Sequence, residues 1–309
     1  MNETSAGSHL RKSDNSIIKG GCGYLFVVSA AVLWAISGTA AKFLFQSGIT
    51  PFQLVQFRTT LAACILFVLM LLRQPEKLKI AGSDVPFFLL LGISLAGAQF
   101  TYLYAISRIN VAAAILLQYQ APVLIAAYMA VFAHKRPGWS TAAAILGAFC
   151  GCYLVVGAYN LDLFAMNRSG ILSGLASAVT FAWYSIQSGY GMKRHTPWTV
   201  LFYAMLFAAI FWNIFYQPLE AFCHGYNPET WFWILFVGVL GTVLPFGLYN
   251  EGIKRITPTH ASITATLEPI TAAVFSYIVL NEVMYFPQVI GAGLVIGSII
   301  LLQTAKKPH

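Results

Sequence analysis

Ten runs of apolar residues, each long enough to cross a lipid bilayer, divide this chain of 309 residues and leave it few ways to fold. Hydrocarbon offers the backbone no water to bond with, so a crossing segment must be a helix or part of a closed barrel. A helix advances about 1.5 Å per residue, and about 20 apolar residues reach from one side to the other. The runs meet that length at 23–45, 52–72, 86–106, 111–132 and 139–158, then at 170–190, 198–217, 229–250, 259–280 and 285–303. They are numbered here as spans 1 to 10. Hydrophobic residues make up 58% of the chain and charged residues 9%, whereas soluble domains carry about 25% charged residues. A water-exposed surface of ordinary size cannot be built from this composition. The expected fold class is all-α integral membrane, with ten transmembrane helices. The run beginning near Gly21 is too long for a signal-peptide core and lacks a small-residue cleavage site, so it reads as a retained first helix behind a polar tail, 1–22.

The net charge of +8 sits in short basic clusters between the spans, which argues for membrane topology and against a nucleic-acid partner. With the N-terminus inside, inner segments carry Arg11, Lys12, Lys19, Arg73, Lys77, Lys79, Lys135, Arg136, Lys193, Arg194, Lys254, Arg255, Lys306 and Lys307, which is 14 of the 18 basic residues. Outer loops hold only Arg108 and Arg168. Both termini are therefore expected in the cytoplasm. Five cysteines give neither a disulfide framework nor metal-ligand spacing. No H-E-x-x-H, G-x-S-x-G or ATP-binding motif is present, so neither an intramembrane enzyme nor an ATP-driven pump is expected.

The chain also matches itself at a shift of 147 residues. Tyr102 falls on Tyr249, Arg108-Ile109 on Arg255-Ile256, Ala114 on Ala261, Pro122 on Pro269, and Ala31-Val32 on Ala178-Val179, with Trp34 opposite Phe181. Thr50-Pro51 meets Thr196-Pro197 at 146. A nearly constant shift across separate span pairs implies two repeats, 23–158 and 170–303. Five spans per repeat is an odd number, so the second copy is expected to enter the membrane upside down. Inverted repeats are a signature of secondary transporters, with the site at the repeat interface.

Particular stretches carry a resemblance: Leu33-Trp34-Ala35-Ile36-Ser37-Gly38, Phe57-Arg58-Thr59, Leu267-Glu268-Pro269, Leu280-Asn281-Glu282, and Gln288-Val289-Ile290-Gly291-Ala292-Gly293. With them the chain resembles the drug/metabolite transporter superfamily, in its EamA-like ten-helix branch, over essentially all of 23–303. The first half departs from that pattern: His134-Lys135-Arg136 stands where Gly-Glu is common, and Gln120-Ala121-Pro122 where Leu-Glu-Pro is. The resemblance implies alternating-access transport of a small metabolite across a bacterial inner membrane, without a bound cofactor. Amino acids are the best single class and efflux the expected direction. Drugs, quaternary amines, nucleoside-type metabolites and uptake stay open, as do proton coupling, facilitated diffusion and oligomeric state.

Glu268 is the first candidate for the site. A carboxyl near mid-bilayer costs about 2.5–3.5 kcal/mol to insert and usually faces a cavity or a partner. On a continuous helix its stripe would include His260, Thr264 and Thr271, and Pro269 would free carbonyls beside it. It would hold a substrate amine or a proton; the alternative is a buried acid bracing a neighbouring helix. Arg58 would attract a carboxylate, or pair with an acid. Gln118 and Gln120 face different sides of span 4, so at most one joins the cavity. Gln99 with Tyr102, and Trp183 with Tyr184 and Gln187, would supply amide and hydroxyl groups to an apolar wall; interhelical bonding is the alternative for each. Trp34 either lines the site or packs. Lys42 and Glu282 would snorkel to water. Gly147 with Gly151 and Gly293 with Gly297 are expected at close helix contacts.

Overall fold

Thr and Asn followed by Pro stop one helix and start the next, and the bundle is built on that punctuation. The computed structural model describes residues 3–109, 111–134, 137–160, 166–217, 219–280 and 285–304, with side chains described from residue 21 except at 39, 42 and 276–280. Glu282 lies outside the described residues, as does the side chain of Lys42. Span 2 is the helix Pro51–Arg73, opened by a capping box in which the Thr50 hydroxyl accepts from the Gln53 N–H and the Gln53 side chain reaches back. Thr196 caps span 7, Pro197–Phe215, in the same position. Asn167 opens span 6, Arg168–Gly191, and Asn227 and Thr257 open the first helices of spans 8 and 9. Span 1 belongs to the helix Glu3–Gln46, span 3 is Val85–Arg108, span 5 is Trp139–Val155 and span 10 is Phe286–Thr304.

Three spans are not the single α-helices expected. Span 4 is Val111–Gln118 followed by Ala121–Val131, and span 9 is Pro258–Ala265 followed by Leu267–Leu280. The breaks fall at Tyr119 and Thr266, at the same repeat position, three residues ahead of Pro122 and Pro269. A proline offers no N–H to the carbonyl four residues back, so the ladder opens there. The break divides the expected stripe between two helices, and Thr264 and Thr271 bond carbonyls of their own helices, His260 and Leu267 respectively. Span 8 runs Pro228–Gly238, a π-helical turn Val239–Val243, and Leu244–Arg255. Its loosened turn lies just before Pro245. Among the described residues eight helical segments are long and apolar enough to cross a membrane; Trp139–Val155 is a shorter apolar helix, and span 9 is divided. The fold is all-α, with ten passes.

The packing carries the repeat. Span 1 lies on span 8 as span 3 lies on span 6, and span 1 on span 9 as span 6 on span 4. Spans 2 and 7 pair with each other, as do spans 5 and 10. Exchanging the halves maps this set of neighbours onto itself. Side chains such as Leu72, Leu146, Leu172, Ile214 and Phe215 are more than half exposed, which suits lipid and would be costly in water. Spans 5 and 10 meet through glycine: a methyl on Gly151 would sit 2.7 Å from the Gly291 carbonyl, and one on Gly291 2.7 Å from Leu154 Cβ. Gly293 and Gly297, expected at this contact, face open space. The touching face is Gly291, Val295 and Ser298, one helical turn apart, and it leaves those two glycines outside.

Candidate functional site

The carbonyls freed by proline organise the centre of the bundle. Pro269 leaves the Ala265 carbonyl without its helical N–H, and the Tyr119 hydroxyl from span 4 lies 2.8 Å from it. The same hydroxyl lies 2.8 Å from Glu268 Oε2. One phenolic hydrogen faces two acceptors and can be donated fully to only one of them at a time. Pro245 likewise frees the Gly241 carbonyl, which accepts from the Arg58 guanidinium at 3.2 Å, while Arg58 Nε donates to Thr242 Oγ1 at 2.8 Å. The two charged candidates of the membrane interior are thus each tied to a helix distortion. Among the described residues Arg58 makes no ion pair.

Between them is a cavity of about 60 Å³, room for a few waters in this conformation. Glu268, Arg58, Tyr102, Gln99, Trp34 and Tyr119 line it, with Ser37, Phe181 and Phe246 among the rest. Trp34 meets Phe246 edge-on at 5.1 Å and lies 5.3 Å from Tyr249, forming an aromatic wall. The Tyr102 hydroxyl lies beside the Glu268 carboxyl. Gln99 is buried, and its amide oxygen has no hydrogen-bond partner among the described residues. Gln99 is also a lining residue of the cavity, and a buried acceptor without a partner is one that water or a ligand can satisfy.

Five of the residues singled out in the sequence, Glu268, Arg58, Trp34, Gln99 and Tyr102, come together here. Gln118 lines the cavity, whereas Gln120 turns its amide to the Leu116 carbonyl. Thr264 is buried and bonded within its own helix turn. Trp183 is 42% exposed and packs edge-on against Tyr128, 5.6 Å away. Tyr184 is fully buried beneath the cavity and donates to Asn250 at 3.2 Å. Gln187 accepts from Ser94. Tyr119 is a site residue that the sequence does not single out; the one signal for it is its place three residues ahead of Pro122, opposite Thr266 in the second repeat.

The EamA-like transporter family pattern matches the chain twice, over 21–157 and 168–304. The chain belongs to the EamA-like transporter family. It is similar to YicL, an uncharacterized inner membrane transporter of Salmonella typhimurium, at 29% identity over 91% of this chain and 94% of that protein. It is also similar to the threonine/homoserine exporter RhtA of Escherichia coli, at 25% identity over 73% of each chain. A crystal structure with 19% identity superposes with a TM-score of 0.73, covering 90% of this chain and 96% of that one, and so shares its fold. This EamA-like chain is therefore a multi-pass membrane transporter, and its substrate is a small molecule.

The two ends of the EamA-like bundle differ. Toward Arg108 a second space of about 600 Å³ is bounded by Phe45, Ile49, Phe52, Tyr104 and Ile106, and Ile106 also lines the central cavity. Toward Arg255, spans 1, 8 and 9 are in contact. Tyr24 of span 1 bonds His260 of span 9 at 2.8 Å, and Arg255 pairs with Glu251 and lies over the Phe26 ring.

Proposed function

We propose that this protein is an alternating-access carrier for small zwitterionic metabolites, amino acids above all, working as an exporter in a bacterial inner membrane with both termini in the cytoplasm. One observation carries the reading: a carboxyl and a guanidinium, Glu268 and Arg58, share one aromatic-walled cavity without pairing to each other. Glu268 is placed to hold an ammonium group and Arg58 a carboxylate, for which its planar fork is suited. The Gln99 amide oxygen offers a further acceptor for the ammonium. Similarity to RhtA, a threonine/homoserine exporter, supports the amino-acid class. In the absence of substrate, a proton on Glu268 would let the carboxyl donate to the Tyr119 oxygen while Tyr119 donates to the Ala265 carbonyl. Exchange of that proton for an ammonium group couples export to the proton gradient.

Counterflow in proteoliposomes tests this. Labelled threonine is expected to exchange, with rates that depend on pH. A monoamine lacking the carboxylate, or a carboxylic acid lacking the amine, should compete at least tenfold less well, about 1.4 kcal/mol, the loss of one anchored group. Glu268→Gln should abolish the pH dependence. Preference for a quaternary amine over threonine, or an unchanged pH profile in Glu268→Gln, would sink the reading.

A further inference from the structure

We propose that Tyr184, Ser185, Ser188, Tyr249 and Asn250 form the second half of the substrate pathway, an uncharged vestibule that opens at the Arg255 end when the Arg108 end closes. This rests on the alternating-access reading above. The first support is the repeat itself. Beyond its centre, the open side of the cavity is lined by Ser37, Gly38, Ala41, Tyr102, Leu103 and Ile106. A shift of 147 residues carries these onto Tyr184, Ser185, Ser188, Tyr249, Asn250 and Ile253. The same shift carries Trp34 onto Phe181 and Gln99 onto Phe246, all of which already line the cavity. The pseudo-symmetry therefore passes through one central site, and its exchange turns the open half-pathway into the closed one.

The second support is independent of the repeat. Tyr184, Ser185, Ser188, Tyr249 and Asn250 are all fully buried, yet five polar side chains are more than helix packing at this depth requires. They only partly satisfy one another. Ser185 and Tyr249 share a hydrogen bond of 2.9 Å, and Tyr184 donates to Asn250. The Asn250 amide nitrogen has no hydrogen-bond partner among the described residues. The Ser188 hydroxyl, with the Tyr184 phenol as a polar neighbour, makes no well-formed bond. Buried groups left short of partners in one conformation are satisfied once water or ligand reaches them in another.

The third support is how the end is shut. Two contacts cross between spans there: Tyr24 with His260 joins spans 1 and 9, and Arg255 over the Phe26 ring joins spans 8 and 1. Arg255 and Glu251 are the repeat counterparts of Arg108 and Tyr104, which border the open space at the other end. Glu268 has Ala121 opposite it, and Arg58 falls among apolar residues of span 7, at Ala204 or Met205. The second vestibule therefore carries hydroxyl and amide groups but no counter-charge. It would pass a small polar zwitterion while holding it less firmly than the centre does.

Side-specific labelling tests this. The five native cysteines are replaced in the full chain, Ser37→Cys, Ser185→Cys and Ser188→Cys are made singly, and counterflow of labelled threonine is measured for each. A charged, membrane-impermeant methanethiosulfonate is applied to either face of sealed, oriented vesicles. Ser37→Cys should react from one face. Ser185→Cys and Ser188→Cys should react only from the opposite face, several-fold faster during threonine exchange. If both remain unreactive from either face in protein that exchanges threonine, or react from the Ser37 face, the vestibule is wrong while the carrier stands. Opposite-face labelling without any counterflow would uphold the vestibule and overturn the carrier reading. Two serine positions guard against one variant failing to fold.

Discussion

Replacing Tyr119 by Phe removes one oxygen from the centre of the bundle and little else, because the ring is buried and its shape is kept. The hydroxyl serves the Ala265 carbonyl and the Glu268 carboxyl at equal distances, but its single hydrogen can satisfy only one at a time. The loss is therefore about one hydrogen bond. Bonds between membrane helices average about 0.6 kcal/mol, with a maximum near 1.7, while a buried acceptor left unsatisfied costs about 1–3 kcal/mol. Tyr119→Phe should thus destabilise the protein by about 1–2 kcal/mol. The reasoning assigns the cause to Pro269, which withholds the N–H that the Ala265 carbonyl would otherwise receive. Pro269→Ala restores that donor, so in its background Tyr119→Phe should cost about 1 kcal/mol less. Reversible unfolding of the four proteins in mixed detergent micelles measures the cycle. If the two substitutions add to within about 0.5 kcal/mol, the customary scatter for independent sites, the hydroxyl is not standing in for the missing N–H.

Arg58→Lys keeps the charge but exchanges a planar fork for a point charge. It should raise the KM for threonine about tenfold and spare kcat, as read from initial rates of counterflow; an unchanged KM would remove Arg58 from carboxylate binding. At the span 5 to span 10 contact, Gly291→Ala would place a methyl 2.7 Å from Leu154 Cβ. It should destabilise by about 1–3 kcal/mol, whereas Gly293→Ala, which meets nothing within 4 Å, should be neutral or mildly stabilising; thermal unfolding in detergent separates them.

Ten passes and two repeats are legible in the sequence because both leave long-range regularities, a length set by the bilayer and a shift held across three pairs of spans. Glu268 and Arg58 are legible for a different reason: a charge amid apolar residues is expensive and therefore conspicuous. What sequence reading misses depends on direction. Trp183 and Gln187 are four residues apart on one helix, yet Trp183 reaches the exposed surface against Tyr128 while Gln187 is buried against Ser94. Helical spacing states which residues are neighbours and says nothing of which neighbour the bundle turns inward. The π-helical turn of span 8 is likewise invisible locally, since Pro245 alone does not say whether a helix kinks, breaks or widens.

The prolines tie these pieces together. Pro245 and Pro269 each withhold one backbone hydrogen, and in each case a polar side chain from another span takes up the carbonyl, Arg58 in one and Tyr119 in the other. Those two side chains are also among the residues that line the cavity. Pro122 withholds a third hydrogen, from the carbonyl of Gln118, which itself lines the cavity. The counterpart of Tyr119 across the repeat is Thr266, and its shorter side chain bonds within its own turn, to the Ile263 carbonyl. The first repeat therefore lacks the filling that the second repeat receives from Tyr119. Two copies of one scaffold have diverged at this point: one break is plugged by a phenol and carries an acid, and the other carries an amide and no charge. In the carrier proposed above, a symmetric scaffold would supply two ways to open. For the zwitterion proposed above, the asymmetry at the breaks would set one orientation, with its ammonium toward Glu268 at the break plugged by Tyr119.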